Sequence, residues 1–258
     1  KVTIMPAYDA DEKLTSLIVR NQAPYDTINI WQQQLSLHLI ANEANYLRDF
    51  LLLDTLQVHT LENSRKKPQL IIPGAKGLAY AHFYLEEPFQ ERLFNQAHSL
   101  KAPLHRAIAY QVAWEHMLDG NTTPIYTAKN YFKALQVETN TQLREWLMDH
   151  LEKLFVEWIP NSQQPELANQ FNQFLWQLLQ NPSIKNKQAV FSTFMATATS
   201  TKDLKRLRQI FQDEERVPNL SIKYREIVSL GLTLMLKDPD NYATTKKKVI
   251  DQISDDVS

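Results

Sequence analysis

The chain has 258 residues, a net charge of −1 and no cysteine. Its hydrophobic share of 43% and its charged share of 22% are ordinary for a globular protein and argue against intrinsic disorder. The charge balance lacks the strong basic excess of a dedicated nucleic-acid binder. The absence of cysteine excludes disulfides, thiolate ligands and thiol nucleophiles. There are only four glycines and no P-loop or G-x-G-x-x-G sequence, so these two phosphate-binding motifs are excluded as well.

The first part of the chain, residues 1 to 86, has the pattern of short strands. Apolar and polar residues alternate at 35–39 and 56–61, which is the period of a half-buried strand. Further strands are predicted at 14–19, 46–53, 69–72 and 79–85. About six short strands separated by turn residues predict a small antiparallel β-sandwich over residues 1–86. Because 86 residues barely supply a two-layer core, we expect this β module to pack on neighbouring structure.

From Pro88 onward the apolar residues recur at helical spacing. Helices are predicted at 104–119, from Pro124 onward, and at 139–158, 165–179, 184–198, 202–211, 221–236 and 241–253. Taken in pairs, they repeat about every 35 to 45 residues, which is typical of HEAT or armadillo solenoids. The sequence therefore predicts a mainly α protein, with a helical superhelix over residues 87–258. A compact helical bundle is the alternative. No apolar run approaches the roughly 18 residues that span a bilayer.

The residues that carry chemistry are scattered. None of the seven histidines belongs to H-E-x-x-H, and Pro103 is expected to prevent His98 and His105 from sharing a helix. We expect His38, His59 and His82 to lie on the solvent faces of strands. The sequence therefore predicts no catalytic, cofactor-binding or metal-binding residue.

The charged and glycine-containing segments have simple structural explanations. The acidic groups at 213–215 and 255–256, and the basic runs at 65–67 and 246–248, are interpreted as solvated surface. The first basic run is expected at a hairpin tip, and a peptide carboxylate or phosphate is an alternative partner for either run. Segment 73–77 (PGAKG) could be a ligand loop, but a hairpin turn between two strands is the simpler interpretation.

Three segments resemble the zinc aminopeptidases of the aminopeptidase N family. IIP at 71–73, a glycine turn and LAYAHFYL at 78–85 resemble the family's "leucine-proline-asparagine … glycine-tyrosine" segment, which closes a small β-sandwich. PLHRAIAY at 103–110, followed by Trp114 and DG at 119–120, resembles its "leucine-x-arginine-alanine" helix. DEKLTSLIVRNQ at 11–22 resembles the opening hairpin of that sandwich. The likeness covers most of residues 1–160.

This resemblance implies a noncatalytic C-terminal fragment of such an enzyme. The family's zinc motif and its G-x-M-x-N substrate motif lie upstream of the sandwich and are absent here, as is the usual acidic turn at residues 74–76. Zinc would then belong to a missing catalytic domain. Residues 252–258 look like an internal cut, since family members usually continue with further helices.

The resemblance also implies a role for the fragment. In the parent enzyme the helices would cap the active site, shape the substrate chamber and hold the distal end of the peptide. The partners would be the missing domains of the same polypeptide and a peptide substrate. No nucleic acid and no membrane span are expected.

Two other functions stay open from the residues alone. One is a free-standing helical-repeat scaffold that binds a protein or peptide. The other is an unrecognised hydrolase, which would need histidines and carboxylates clustered in a pocket. The compartment is undecided, because a chain without cysteine suits the cytoplasm and the periplasm equally.

Overall fold

The computed structural model describes residues 1–22, 32–41, 44–184 and 186–257. It divides the chain into two compact units, Lys1–Leu143 and Arg144–Ser258. The described residues contain two small sheets and nine α-helices, which confirms the prediction of a mainly α protein with a small β module. The change from strands to helices falls near Pro88, whereas the division into compact units falls after Leu143.

Two sheets account for the described strands of the first unit. One sheet has the strand order β5-β2-β1-β7 and the other has the order β4-β3-β6. The pairing is antiparallel as predicted, except between β1 and β7, which are parallel. The strands are β1 (Val2–Tyr8), β2 (Leu14–Asn21), β3 (Gln33–Ala41), β4 (Ala44–Leu52), β5 (Leu56–Arg65), β6 (Leu70–Pro73) and β7 (Phe83–Leu85).

The first strand was not predicted, because Pro6 interrupts its apolar pattern. Val2 and Ile4 are buried beside β7. The pairing between β1 and β7 ends at Ile4. The missing N–H of Pro6 is therefore tolerated, since no described strand pairs with β1 on that side at that position. The hairpin to β2 is closed by Asp9, whose Oδ1 accepts hydrogen bonds from the backbone N–H groups of Asp11 and Lys13, each at 2.9 Å.

Alternating side chains of both sheets are buried. Leu17 and Val19 on β2 and Leu35 and Leu37 on β3 are almost completely inaccessible to solvent. Each such leucine or valine contributes about 1.5–3 kcal/mol to folding. On β3 the alternation that predicted the strand also identified its buried face, whereas on β5 the alternating Leu56 and Val58 are exposed, at 53% and 60%.

The predicted last strand and its turn differ from the structure. Only Phe83–Leu85 of the predicted strand 79–85 is extended. Segment 73–77 is not a hairpin turn, because β6 pairs with β3 and β7 pairs with β1, in different sheets. The segment carries the chain from one sheet to the other.

Three helices complete the first unit: α1 (Phe89–Gln96), α2 (Pro103–Leu118) and α3 (Pro124–Val137). A proline occupies the first turn of α2 and of α3, where its missing N–H costs nothing. Thr123 caps α3, accepting a hydrogen bond from the N–H of Tyr126 at 3.3 Å. As expected, His98 and His105 do not share a helix, because α2 begins at Pro103.

The regular secondary structure described in the second unit is all helical, and turns and irregular segments connect the helices. None of the described helices could span a membrane. Its helices are α4 (Thr141–Lys153), which begins just before the unit boundary, and then α5 (Gln164–Gln180), α6 (Lys187–Thr197), α7 (Thr201–Phe211), α8 (Tyr224–Lys237) and α9 (Tyr242–Val257). A π-helical turn, Leu154–Trp158, extends α4. These bounds confirm the predicted helices, although α6 and α8 each begin three residues later than expected.

Lysines cap helices within the second unit. Each of three lysines donates a hydrogen bond to a backbone carbonyl at the C-terminal end of another helix, where carbonyls lack helical partners. The pairs are Lys187 with Leu179 at 2.5 Å, Lys237 with Ala198 at 3.1 Å and Lys248 with Phe211 at 2.8 Å.

Candidate functional site

The described residues hold no group of three or more histidine, aspartate or glutamate side chains that could bind a metal ion. The histidines instead take part in separate packing contacts. His59 stacks on Phe50 with ring centroids 4.0 Å apart, so the prediction that it lies on a solvent face is wrong. His38 is half-buried and lies 4.9 Å from the ring of His105 on α2. His82 is 44% exposed.

The two basic runs are partly engaged by neighbours. Residues 65–67 are not at a hairpin tip, because β5 and β6 belong to different sheets. Lys67 lies 5.1 Å from the ring of Tyr8 and 3.5 Å from a carboxylate oxygen of Glu12. In the second run Lys246 and Lys247 are exposed as expected, whereas Lys248 caps α7.

A cleft in the first unit lies between segment 73–83 and helix α2, with a volume of about 500 Å³. That volume lies within the usual range of about 300–1,000 Å³ for small-ligand sites. Phe83, Ile108 and Val112 supply apolar lining, and His82, Gln111 and Glu115 supply polar groups. The sequence singled out segment 73–77 but did not predict this cleft.

Two glycines shape the segment that forms one wall of the cleft. Gly74 and Gly77 have φ angles of +62° and +71°, a region that side chains with a Cβ rarely adopt. A Cβ at Gly74 would lie 3.1 Å from Phe83 Cε2. The Gly77 N–H donates to the Gly74 carbonyl at 2.7 Å. The sharp turn therefore lets the chain leave β6 and pass beside α2.

The polar side of the cleft follows from helical spacing. Gln111, Glu115 and Asp119 are four residues apart, which puts them on one face of the helix and its C-cap. Gln111 Nε2 donates to Glu115 Oε1 at 3.0 Å. His82 faces both carboxylates, with Nε2 at 3.8 Å from Glu115 Oε1 and Nδ1 at 3.7 Å from Asp119 Oδ2. This four-residue spacing could have indicated a polar face on the helix, although no such face was predicted.

His116 lies on the buried side of α2. Its Nε2 is 2.9 Å from the carbonyl oxygen of Phe83, and its ring is 4.3 Å from that of Tyr84. Its Nδ1 has no hydrogen-bond partner among the described residues. Burial lowers the pKa of His116, because a charged imidazolium would lose its hydration there.

Protonation of buried and partly buried histidines should destabilise the fold in mild acid. Burial lowers the pKa of His38, His59, His98, His105, His116 and His150. The unfolded chain therefore takes up protons near pH 6.5, where the folded histidines stay neutral. We expect the free energy of unfolding to be fully present above about pH 6.5 and to fall as the pH is lowered further. Urea unfolding at a series of pH values measures this.

His116→Gln provides the matched comparison, since a glutamine amide can donate to the same carbonyl but does not titrate. Its stability should depend less steeply on pH than that of the wild type between about pH 5 and 7. Glu152, whose pKa is raised by burial, acts in the opposite direction but is common to both proteins. If the free energy of unfolding depended equally steeply on pH in the wild type and in His116→Gln, His116 would not contribute to this pH dependence.

The fold and the cleft define a mainly α protein with a small β module and a ligand-sized cleft in its first unit. No family model matches this chain, and no curated protein is significantly similar to it. The function proposed below therefore rests on the residues of the chain itself.

Proposed function

We propose that this chain is a noncatalytic C-terminal portion of an aminopeptidase N-like zinc peptidase. In this proposal residues 1–86 form the β-sandwich and residues 87–258 form a HEAT- or armadillo-like superhelix. The order of elements is the observation that carries the proposal. Two small sheets precede an unbroken series of helices, and the change falls beside the LAYAHFYL segment that resembles the family.

The packing of the elements is compatible with this assignment. Inward-facing leucines and valines from both sheets are buried, as two stacked layers require. Successive helices contact one another, as in α5 with α6 and α8 with α9. Stacked helix pairs of this kind make extended curved walls.

The proposed role is to cap the active site of the parent enzyme. A helical wall over the catalytic zinc would limit the length of the substrate and contact the distal end of the peptide. Closure would also remove water from the reaction and strengthen electrostatic interactions at the metal. The chain itself would contribute binding surface, and the zinc ligands would come from a preceding catalytic domain.

The isolated chain should carry no zinc and release no product from aminoacyl p-nitroanilides. Zinc is measured by mass spectrometry after dialysis against zinc and then buffer, and turnover is followed by absorbance. A zinc aminopeptidase assayed in parallel controls for the substrate and the buffer. Stoichiometric zinc or steady turnover would overturn the proposal, because the chain would then be an enzyme by itself.

The coding sequence upstream of Lys1 provides the positive test. We expect it to encode G-x-M-x-N and, downstream of that, H-E-x-x-H with a later glutamate, since these residues bind the substrate amine and zinc in the family. An open reading frame that starts next to Lys1 would contradict the proposal.

A second candidate function is a free-standing scaffold that binds a protein or peptide. The cleft beside α2 favours it, because a preformed cavity with apolar and polar lining needs no catalytic domain to bind a ligand. The two functions differ in the upstream coding sequence, which would lack a protease domain if the scaffold function is correct.

A further inference from the structure

The cleft between segment 73–83 and α2 has a wall that is held in place before any ligand binds. The N–H of Ala75 donates to the Ser36 carbonyl at 2.9 Å, and the N–H of Tyr80 donates to Gln33 Oε1 at 2.8 Å. Both bonds attach the segment to β3. A ligand that enters the cleft therefore does not have to order this wall, which removes one of the main costs of binding.

The lining of the cleft combines an apolar surface with a single kind of charge. Phe83 and Val112 are buried beneath it, and Ile108 adds a further aliphatic side chain. Among the described residues that line the cleft, Glu115 carries a carboxylate and none is lysine or arginine. Asp119 lies one turn further along, next to His82. Glu115 is therefore the source of negative charge in the described lining, whereas Asp119 lies within electrostatic range of the Lys1 ammonium.

Glu115 has spare capacity to accept hydrogen bonds. Its side chain is 15% exposed and accepts one hydrogen bond from the neutral amide of Gln111. A carboxylate has about four acceptor positions. Because Phe83, Ile108 and Val112 make part of the lining apolar and the Glu115 side chain is only 15% exposed, a cation that reaches this oxygen is attracted more strongly than at an open surface.

We propose that this cleft binds the basic side chain of a peptide. The aliphatic stem would pack on Ile108 and Val112, and the amine or guanidinium would donate to Glu115. A planar guanidinium suits a carboxylate especially well, because it can donate two parallel hydrogen bonds. The cleft lies wholly within the first unit, so this inference goes beyond the proposed capping role and does not depend on a catalytic domain.

The test is a titration of the ¹⁵N-labelled full chain, followed by NMR. The probes are N-acetyl-arginine amide, its neutral isostere N-acetyl-citrulline amide, and benzamidine as a cation without a peptide backbone. We expect saturable shifts of the Gln111 side-chain amide and of the backbone amides of Gly77 and Glu115 with the arginine probe. The citrulline probe should bind about tenfold more weakly, since it lacks the charge.

Two variants locate the interaction. Glu115→Gln should weaken binding of the arginine probe about tenfold, whereas Glu91→Gln, which changes an exposed carboxylate on α1, should leave it unchanged. Asp119→Asn should weaken it about threefold, and this position is exposed enough to be replaced without loss of the fold. Each variant is first checked for a native amide spectrum.

Specific results would overturn the proposal. Equal binding of the arginine and citrulline probes would show that charge does not determine recognition. An unchanged affinity in both Glu115→Gln and Asp119→Asn would place the cation elsewhere. Binding of benzamidine without binding of the arginine probe would assign the cleft to a small amidinium cation instead of a peptide side chain. None of these results bears on the zinc assay or on the upstream coding sequence, so the two proposals fail independently.

Discussion

Replacing Arg106 by methionine should destabilise the first unit by about 3–5 kcal/mol, because it leaves a buried carboxylate without its counter-charge. Arg106 on α2 forms two hydrogen bonds with Glu138, from Nε at 2.8 Å and from Nη2 at 2.7 Å. The carboxylate side chain of Glu138 is completely buried. Nη1 of the same guanidinium donates to the carbonyl of Leu100 at 2.8 Å and to that of Lys101 at 3.0 Å.

The hydrogen bonds around Glu138 keep it ionised. Burial by itself opposes ionisation, but donation from Arg106 and from the backbone N–H of Asn140 outweighs burial and lowers the pKa of Glu138. A lowered pKa means that this contribution to stability is present above the unfolded value of about 4.3 and is lost as the pH falls through the folded value. The ion pair should therefore stay intact in the range where the histidines titrate.

The measurement should assign the loss to the first unit. Hydrogen exchange at amides of α2 and α3 reports the local free energy of opening, because exchange can be read for each unit separately. Lys76→Met, which removes an exposed ion pair with Asp49 in the same unit, is the matched control and should cost less than about 1 kcal/mol.

The double variant Arg106→Met with Glu138→Met separates ion pairing from packing. It should recover part of the stability lost in Arg106→Met, since no unpaired charge is then buried. If Arg106→Met lost as little stability as Lys76→Met, this result would contradict a structural role for the Arg106–Glu138 ion pair.

In the second unit, Gly231→Ala should lower the free energy of unfolding by about 1–2 kcal/mol net. Gly231 lies on α8, where alanine alone would favour the helix by about 1 kcal/mol. A Cβ there would lie 2.3 Å from Val249 Cγ2 on α9 and 3.1 Å from Phe211 Cε2. Valine has one strongly preferred rotamer in a helix, so it cannot readily move away. The helices would have to separate.

Removing the obstructing methyl groups should reverse this effect. Val249→Ala in the Gly231→Ala background should recover stability relative to Gly231→Ala, and a double-mutant cycle by urea unfolding measures the coupling. Ser229→Ala, at an exposed position on the same helix, reports helix propensity without the contact. If Gly231→Ala were as stable as Ser229→Ala, this result would contradict the close approach of α8 and α9 at Gly231.

Much of the fold could be predicted from local patterns. The strands from β2 to β6 and the helices from α2 to α9 fall where alternation, helical spacing and proline punctuation placed them, apart from shifts of a few residues at the ends. Pro103 and Pro124 begin helices because a first-turn residue needs no N–H partner. These features depend on residues near one another in the chain, which is why a single sequence determines them.

The cleft and its surroundings could not be predicted in the same way. Segment 73–77 looked like a hairpin turn because PGAKG has turn residues, and the pairing of β6 and β7 with different sheets decided otherwise. His59 looked exposed from alternation, but its ring packs on Phe50 of the other sheet. Both outcomes depend on which sheet each strand joins, and strand periodicity carries no information about that.

The sequence by itself determined that this is a mainly α protein with a small β module, because hydrophobic periodicity and the positions of proline are local properties. Only the tertiary structure decided that Arg106 meets Glu138, that Gly231 lets α9 approach α8, and that Gln111 and Glu115 face segment 73–83 across a cleft. These contacts join residues far apart in the chain, and they are selected by the burial of apolar surface and the pairing of buried charge in three dimensions.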